Sequence, residues 1–125
     1  MKFLLDSNIV IAASLGVSQA LRARMAACDE GDLVTSAIAY AEILFGSERG
    51  KPPPVDKLRL FIEEVPVLDF DILAASVYAS LPFKRGSFDN LIAAHALSRD
   101  LTIVTDNIAH FVDLPGLKVE NWMQK

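Results

Sequence analysis

Short apolar runs alternate along the chain with segments of helical periodicity. The runs at residues 2–5, 33–35 and 101–104 are rich in Leu, Ile and Val, which is typical of buried strands. Helices are predicted over residues 7–14, 19–28, 37–45, 55–64, 69 or 71 to about 81, and 88–98. Strands that alternate with helices favour a parallel sheet covered on both faces. We therefore expect an α/β protein, a three-layer α/β/α domain with a short central parallel sheet.

The length and composition of the chain favour one folded unit. Its 125 residues are 52% hydrophobic and 22% charged, which is typical of a compact domain. The Pro-rich stretch at residues 48–54 reads as a loop inside that domain, so we expect a single domain over residues 1–125. Cys28 is the only cysteine, which excludes an intrachain disulfide. The uncharged runs are too polar for a membrane span and no signal peptide is recognisable, so we expect a cytoplasmic protein without a membrane partner.

The charge balance of the chain is acidic. The formal net charge is −4, whereas general nucleic-acid binders are usually basic. This argument weakens if several acids are gathered in one place to hold cations. Composition alone leaves both possibilities open.

Four acids lie where a parallel sheet would present a site. Asp6 follows the first predicted strand, and Asp106 follows the strand at residues 101–104. Ligands bind at the carboxyl ends of strands in open parallel sheets. Asp89 lies in the first turn of a predicted helix, and Glu42 lies along the apolar stripe of another, where a charge is costly unless paired.

Each acid also has an ordinary structural interpretation. Asp6 and Asp106 can cap helices, Asp89 can complement a helix dipole, and Glu42 can lie at the solvent edge of its helix. These interpretations are the better ones for each residue taken alone. If the four converge, however, their repulsion is relieved by Mg²⁺ or Mn²⁺, which can activate water for attack on a phosphodiester. The predicted polar groups that orient these ligands are Ser7, Asn8, Ser36, Thr105 and Asn107.

Four motifs resemble segments of a known family. LLDSNIVIA is similar to the LLDTN opening of PIN-domain ribonucleases, and TSAIAYAEILFG is similar to their segment with Glu six residues after Ser. RGSFDNLIAAHAL resembles a helix of the VapC toxins, and TIVTDNIAHFVDLPGLKVENW resembles their closing stretch. The resemblance spans the chain in the right order. It implies a PIN fold and a cytoplasmic toxin of a type II toxin–antitoxin pair.

The resemblance also implies a site and partners. The acidic site of the family maps onto Asp6, Glu42, Asp89 and Asp106, and many relatives have Asn in place of the last. The implied activity is Mg²⁺- or Mn²⁺-dependent cleavage of structured RNA that leaves a 5′-phosphate and a 3′-hydroxyl. The implied partners are a second copy of the chain and a VapB-type antitoxin, through which the complex would reach operator DNA.

Two basic residues and two histidines lie near the predicted acids in the sequence. Lys84 and Arg85 precede Asp89 closely, so contact with the RNA backbone is one interpretation and solvated loop charge is the other. His95 is expected to be packed and hydrogen-bonded, and His110 is expected near the surface. The alternative function is a catalytically silent PIN-like module that binds RNA or protein.

Overall fold

The computed structural model describes residues 1–82, 87–111 and 114–124. Within these residues the chain forms five strands and six α-helices, together with a short 3-10 helix at Ile108–His110. The strands are β1 (Phe3–Leu5), β2 (Leu33–Ser36), β3 (Val67–Leu68), β4 (Thr102–Val104) and β5 (Val119–Glu120). The α-helices are α1 (Ser7–Leu15), α2 (Gln19–Ala26), α3 (Ala37–Glu48), α4 (Val55–Glu64), α5 (Ile72–Ser80) and α6 (Phe88–Ser98).

The strands form one parallel sheet in the order β3-β2-β1-β4-β5. In the centre, Leu5 of β1 is in register with Thr35 of β2 on one side and Val104 of β4 on the other. The order runs outward in one direction from β1 to β3 and in the other from β4 to β5. The strand order therefore reverses between β1 and β4, which is where sheets of this kind bind ligands.

Apolar side chains of the sheet point alternately to two cores. Leu5 and Val104 pack with Ile9 of α1 and Leu58 of α4, whereas the adjacent Leu4 packs on the opposite face. The second core also contains Ile92, Ala93 and Ala96 of α6 with Ile103 of β4. Successive residues of a strand point to opposite faces, so a strand covered by helices on both sides is apolar throughout. The predicted three-layer α/β/α arrangement is confirmed.

Several element ends differ from those expected. The sequence leaves Asp6, Ser7 and Asn8 open as the cap of α1; Asp6 is the N-cap, and its carboxylate accepts from the Ser7 N–H. Helix α3 continues through Gly46 to Glu48, where Ser47 is buried in its last turn. Helix α2 ends at Ala26, two residues before the predicted end. In the described part of the chain, no helix combines the length and the apolar character needed to cross a membrane.

Candidate functional site

Asp6 lies at the carboxyl end of β1, beside the reversal of strand order, and is 2% exposed. Its Oδ1 accepts a hydrogen bond from the Ser7 N–H (2.8 Å), and Oδ2 accepts one from Thr105 Oγ1 (2.9 Å). Burial raises the pKa of Asp6; these hydrogen bonds oppose the increase, and the charges of Asp89 and Asp106 add to it. The fold thus holds an oriented carboxylate whose negative charge is less favourable than it would be in water.

Glu42 brings a second carboxylate to this edge of the sheet from α3. The residue is half-buried, and its Oε1 is buried without a hydrogen-bond partner in the described structure. Burial raises the pKa of Glu42, the charges of Asp6 and Asp89 raise it further, and hydrogen bonding with the Ser7 side chain opposes them. A buried carboxylate oxygen without a donor is costly, and a bound cation would satisfy it.

Asp89 lies in the first turn of α6, and its side chain is 35% exposed. Ser87 caps this helix by accepting a hydrogen bond from the Asn90 N–H at 3.2 Å. The Asp89 carboxylate instead lies 2.8 Å from His110 Nδ1, and its charge raises the pKa of both Asp6 and Glu42. The structure therefore brings together three acids from β1, α3 and α6.

Asp106 is the most exposed of the four predicted acids. It follows β4 by two residues, and its backbone N–H donates to Asn8 Oδ1 at 3.4 Å. Its charge adds to the raised pKa of Asp6. The residue therefore borders the site from the solvent side.

The four carboxylates fit a divalent cation in kind and in charge. They supply the hard oxygen ligands that Mg²⁺ and Mn²⁺ prefer, and their mutual repulsion would fall when such an ion binds. The described residues include no group of three or more His, Cys, Asp or Glu side chains already arranged to hold an ion. The unsatisfied Oε1 of Glu42 is the observation that points to a cation at this edge.

Polar side chains join the ends of β1 and β4. Thr105 Oγ1, which donates to Asp6, accepts from the Asn107 N–H at 3.1 Å. Asn8 Nδ2 lies 3.4 Å from both Asp6 Oδ2 and Thr105 Oγ1. Ser36, which was also predicted to orient the carboxylates, has other partners. Its Oγ accepts from the Ile38 N–H (3.0 Å) and lies 2.8 Å from Nδ1 of the buried His95.

His110 is a site neighbour that the sequence did not reveal. The sequence predicts only a surface position for it, and its side chain is indeed 54% exposed. Its Nδ1, however, lies 2.8 Å from Asp89 Oδ2, and its Nε2 lies 3.0 Å from Asn107 Nδ2. Asp89 and His110 are 21 residues apart, so helical spacing does not relate them. The one sequence feature that pointed to His110 is its place on the segment after β4, which also carries Asp106.

An apolar recess borders the acids. Ala41, Glu42, Phe45 and Phe88 line a cavity of about 430 Å³, in which Phe45 and Phe88 are 62% and 55% exposed. The Arg49 guanidinium lies 3.4 Å from the centre of the Phe45 ring. Lys84 and Arg85, the predicted RNA-binding residues, lie outside the described residues. The site thus combines the buried carboxylate of Asp6 and the half-buried one of Glu42 with exposed aromatic rings.

Comparison with known proteins identifies the family. The model of the PIN domain matches residues 3–116, and the chain therefore belongs to the PIN-domain family. Within that family the chain is homologous to VapC ribonucleases. It is 33% identical to the tRNA(fMet)-specific endonuclease VapC of Shigella flexneri, over 98% of each chain.

Solved structures support the same assignment. VapBC2 from Rickettsia felis, bound to a DNA fragment from its promoter, matches with a TM-score of 0.86 and 27% identity over 98% of this chain and 99% of the other. DNA-bound VapBC from Salmonella typhimurium matches with a TM-score of 0.83 and 30% identity over 98% of each chain. The predicted PIN fold is confirmed.

Proposed function

We propose that this chain is a divalent-metal-dependent endoribonuclease and the toxin of a VapBC-type toxin–antitoxin pair, acting as a single PIN domain over residues 1–125. The observation that carries the proposal is the convergence of Asp6, Glu42 and Asp89 where the strand order reverses. The charge of Asp89 raises the pKa of both Asp6 and Glu42, and a bound divalent cation would relieve this repulsion. Homologues named endonuclease or ribonuclease supply the reaction class.

The proposed cofactor is Mg²⁺, for which Mn²⁺ substitutes. Asp6, Glu42, Asp89 and Asp106 would hold it, and Ser7, Asn8, Thr105 and Asn107 would orient these carboxylates and their waters. When bound, the ion would stabilise negative charge on the phosphoryl group and lower the pKa of water. Because Asp106 is the most exposed of the four, we propose that it contributes least.

The carboxylates set the geometry of the proposed reaction. Asp6 is buried and held through both carboxylate oxygens, so its position is fixed before substrate arrives. Hydrolysis breaks the bond between phosphorus and the 3′ oxygen: the water oxygen joins phosphorus, and a proton goes to the departing 3′ oxygen. The products would be a 5′-phosphate and a 3′-hydroxyl.

Structured RNA is the proposed substrate. Exposed aromatic rings such as Phe45 and Phe88 can stack on unpaired bases, which occur in the loops of folded RNA. Lys84 and Arg85 would contact the phosphate backbone. A relative named for specificity toward tRNA(fMet) makes transfer RNA the first substrate to test.

The proposed partners follow from the homologous complexes. VapBC structures bound to DNA support a VapB-type antitoxin as the partner through which the complex reaches operator DNA. We propose that this antitoxin also blocks the site. We also propose a homodimer in the cytoplasm. Exposed Ile72 (85%) and Leu73 (54%) on α5 support self-association, because burying such side chains is favourable. Light scattering of the antitoxin-free chain should give twice the monomer mass.

The purified, antitoxin-free chain tests the activity. Incubated with a tRNA mixture, it should cut in Mg²⁺ or Mn²⁺ and stop cutting in excess EDTA, and the new 5′ ends should carry phosphate. Asp6→Asn should lose cutting, whereas Asp100→Asn is the matched control. Asp100 is exposed and has a φ of 53°, which asparagine accommodates readily. Cutting by Asp6→Asn at the wild-type rate would refute the proposed site.

A catalytically silent binding module is the second candidate. It is favoured by one observation: the described residues contain no three-ligand group already arranged for an ion. Thermal unfolding with increasing Mn²⁺ separates the two candidates. An increase in the unfolding temperature supports the nuclease, whereas an unchanged temperature together with RNA binding but no cleavage supports the module.

A further inference from the structure

The segment after β4 contacts two separate carboxylates of the site. Thr105, at its start, donates to Asp6 Oδ2 over 2.9 Å. Five residues later, His110 lies 2.8 Å from Asp89 Oδ2. Asn107 lies between them, with its N–H donating to Thr105 and its side-chain nitrogen 3.0 Å from His110 Nε2. A continuous series of hydrogen bonds thus runs from β1 through this segment to α6.

The roles of the atoms around His110 follow from their chemistry. An ionised carboxylate only accepts hydrogen bonds, so His110 Nδ1 carries the hydrogen and donates to Asp89. The Asn107 side-chain nitrogen contacts the ring, at 3.0 Å from Nε2 and 3.3 Å from Nδ1. The contact with Asp89 does not require a charged histidine.

Helix capping does not account for the orientation of Asp89. A carboxylate in the first turn of a helix often serves the free N–H groups there. In α6 the Ser87 side chain caps the helix by accepting from the Asn90 N–H. The Asp89 carboxylate is directed to His110 instead.

We infer that His110 is a positioning residue that orients the Asp89 carboxylate for metal binding, with Asn107 holding the imidazole ring. This inference rests on the proposed function, since it concerns a ligand of the proposed ion. A carboxylate can accept from His110 and still offer lone pairs to an ion. Hydrogen-bonded partners that orient metal ligands typically change metal affinity by about 10–100-fold when they are removed.

Mn²⁺ titration calorimetry of the antitoxin-free chain tests this role without relying on activity. His110→Ala should weaken Mn²⁺ binding by about tenfold or more with the circular dichroism spectrum unchanged. His110→Gln, which keeps a side-chain N–H donor, should recover part of the affinity. Ala109→Ser is the matched control on the same short helix and should bind as the wild type does.

A second measurement follows the imidazole directly. Nitrogen-15 NMR of the metal-free wild type should show His110 with its hydrogen on Nδ1, and Asp89→Asn should shift this tautomer balance. A His110→Ala variant with wild-type Mn²⁺ affinity would overturn the positioning role alone. A wild type that binds no Mn²⁺ while keeping the Nδ1–H tautomer would instead overturn the proposed function, and with it the inference.

Discussion

Thr105 donates a hydrogen bond to Asp6 across 99 residues of sequence, with 2.9 Å between Thr105 Oγ1 and Asp6 Oδ2. Both residues follow central strands of the sheet, Asp6 after β1 and Thr105 after β4, and both are buried. This hydrogen bond links the ends of β1 and β4, between which the strand order reverses, and it fixes the direction of the Asp6 carboxylate. The orientation of the central acid therefore depends on the pairing of two strands.

Thr105→Val should reduce both stability and cleavage. Valine matches threonine in shape but removes the donor to Asp6, which leaves a buried carboxylate oxygen less satisfied. We expect a loss of about 1–2 kcal/mol in the free energy of unfolding, measured by urea denaturation in EDTA. Thr105→Ser keeps the hydroxyl and is the control for cleavage. Equal cleavage by the valine and serine variants would show that the hydroxyl does not orient Asp6.

Glu42→Gln should stabilise the metal-free protein at neutral pH. The folded state raises the pKa of Glu42 above its ordinary value of 4.5, so the folded form binds that proton more tightly than the unfolded form. The stability from this carboxyl is therefore present at low pH and lost as pH rises through the raised pKa. In EDTA at about pH 7.5, the variant should unfold roughly 2–4 °C above the wild type. This difference in unfolding temperature should narrow toward about pH 4.

Glu48→Gln is the control for this measurement, because Glu48 is exposed near the end of the same helix. It should leave the unfolding temperature unchanged. Addition of Mn²⁺ should raise the unfolding temperature of the wild type more than that of Glu42→Gln. A Glu42→Gln variant that is less stable than the wild type in EDTA would show that the carboxylate is satisfied in the metal-free protein.

Asp106→Asn should retain most cleavage activity. Asp106 is exposed, whereas Asp6 is buried and held through both carboxylate oxygens. We expect Asp106→Asn to cut within about fivefold of the wild-type rate and Asp6→Asn to lose roughly 10²–10³-fold, as when a central electrostatic group is removed. Rates under single-turnover conditions in Mg²⁺ give the comparison. Equal losses in the two variants would contradict this ranking.

His95 should make the protein less stable in mild acid. Burial lowers the pKa of His95, and this outweighs the opposing charge of Asp71. The unfolded chain then binds a proton more readily than the folded one, so stability falls as pH drops below about 6.5, with a slope of at most about 1.4 kcal/mol per pH unit. Urea unfolding between pH 8 and pH 5 should show this slope in the wild type and a smaller one in His95→Gln. Equal slopes would contradict the assignment.

The layered fold could be predicted from the sequence because the three central strands, β2, β1 and β4, fall on short apolar runs between helices. Leu4 and Leu5 are both apolar since they face different cores, which only a sheet covered on both sides provides. Helix ends were less predictable. Asp6 takes the cap position of α1 although Ser7 and Asn8 follow it, because the chain is still extended at Asp6, with a ψ of 163°.

The acids of the site were predictable from their place in the elements, but some of their contacts were not. Asp6 follows a strand and Glu42 lies in an apolar stripe, and both are local patterns. The contact of His110 with Asp89 depends on how the segment after β4 approaches α6, which no local pattern encodes. Ser36 illustrates the reverse case, since its hydroxyl is next to His95, a partner set by the packing of β2 against α6.

Cleavage by Asp89→Asn tests the central claim most directly. This substitution removes one charge from the proposed metal site and leaves Ser87 in place as the cap of α6. With a tRNA substrate and Mg²⁺, the purified wild type should cut, whereas Asp89→Asn should be folded and at least a hundredfold slower by the usual size of such electrostatic effects, about 10²–10³. A folded Asp89→Asn protein that cuts RNA at the wild-type rate would contradict the claim that these acids form a metal-dependent nuclease site.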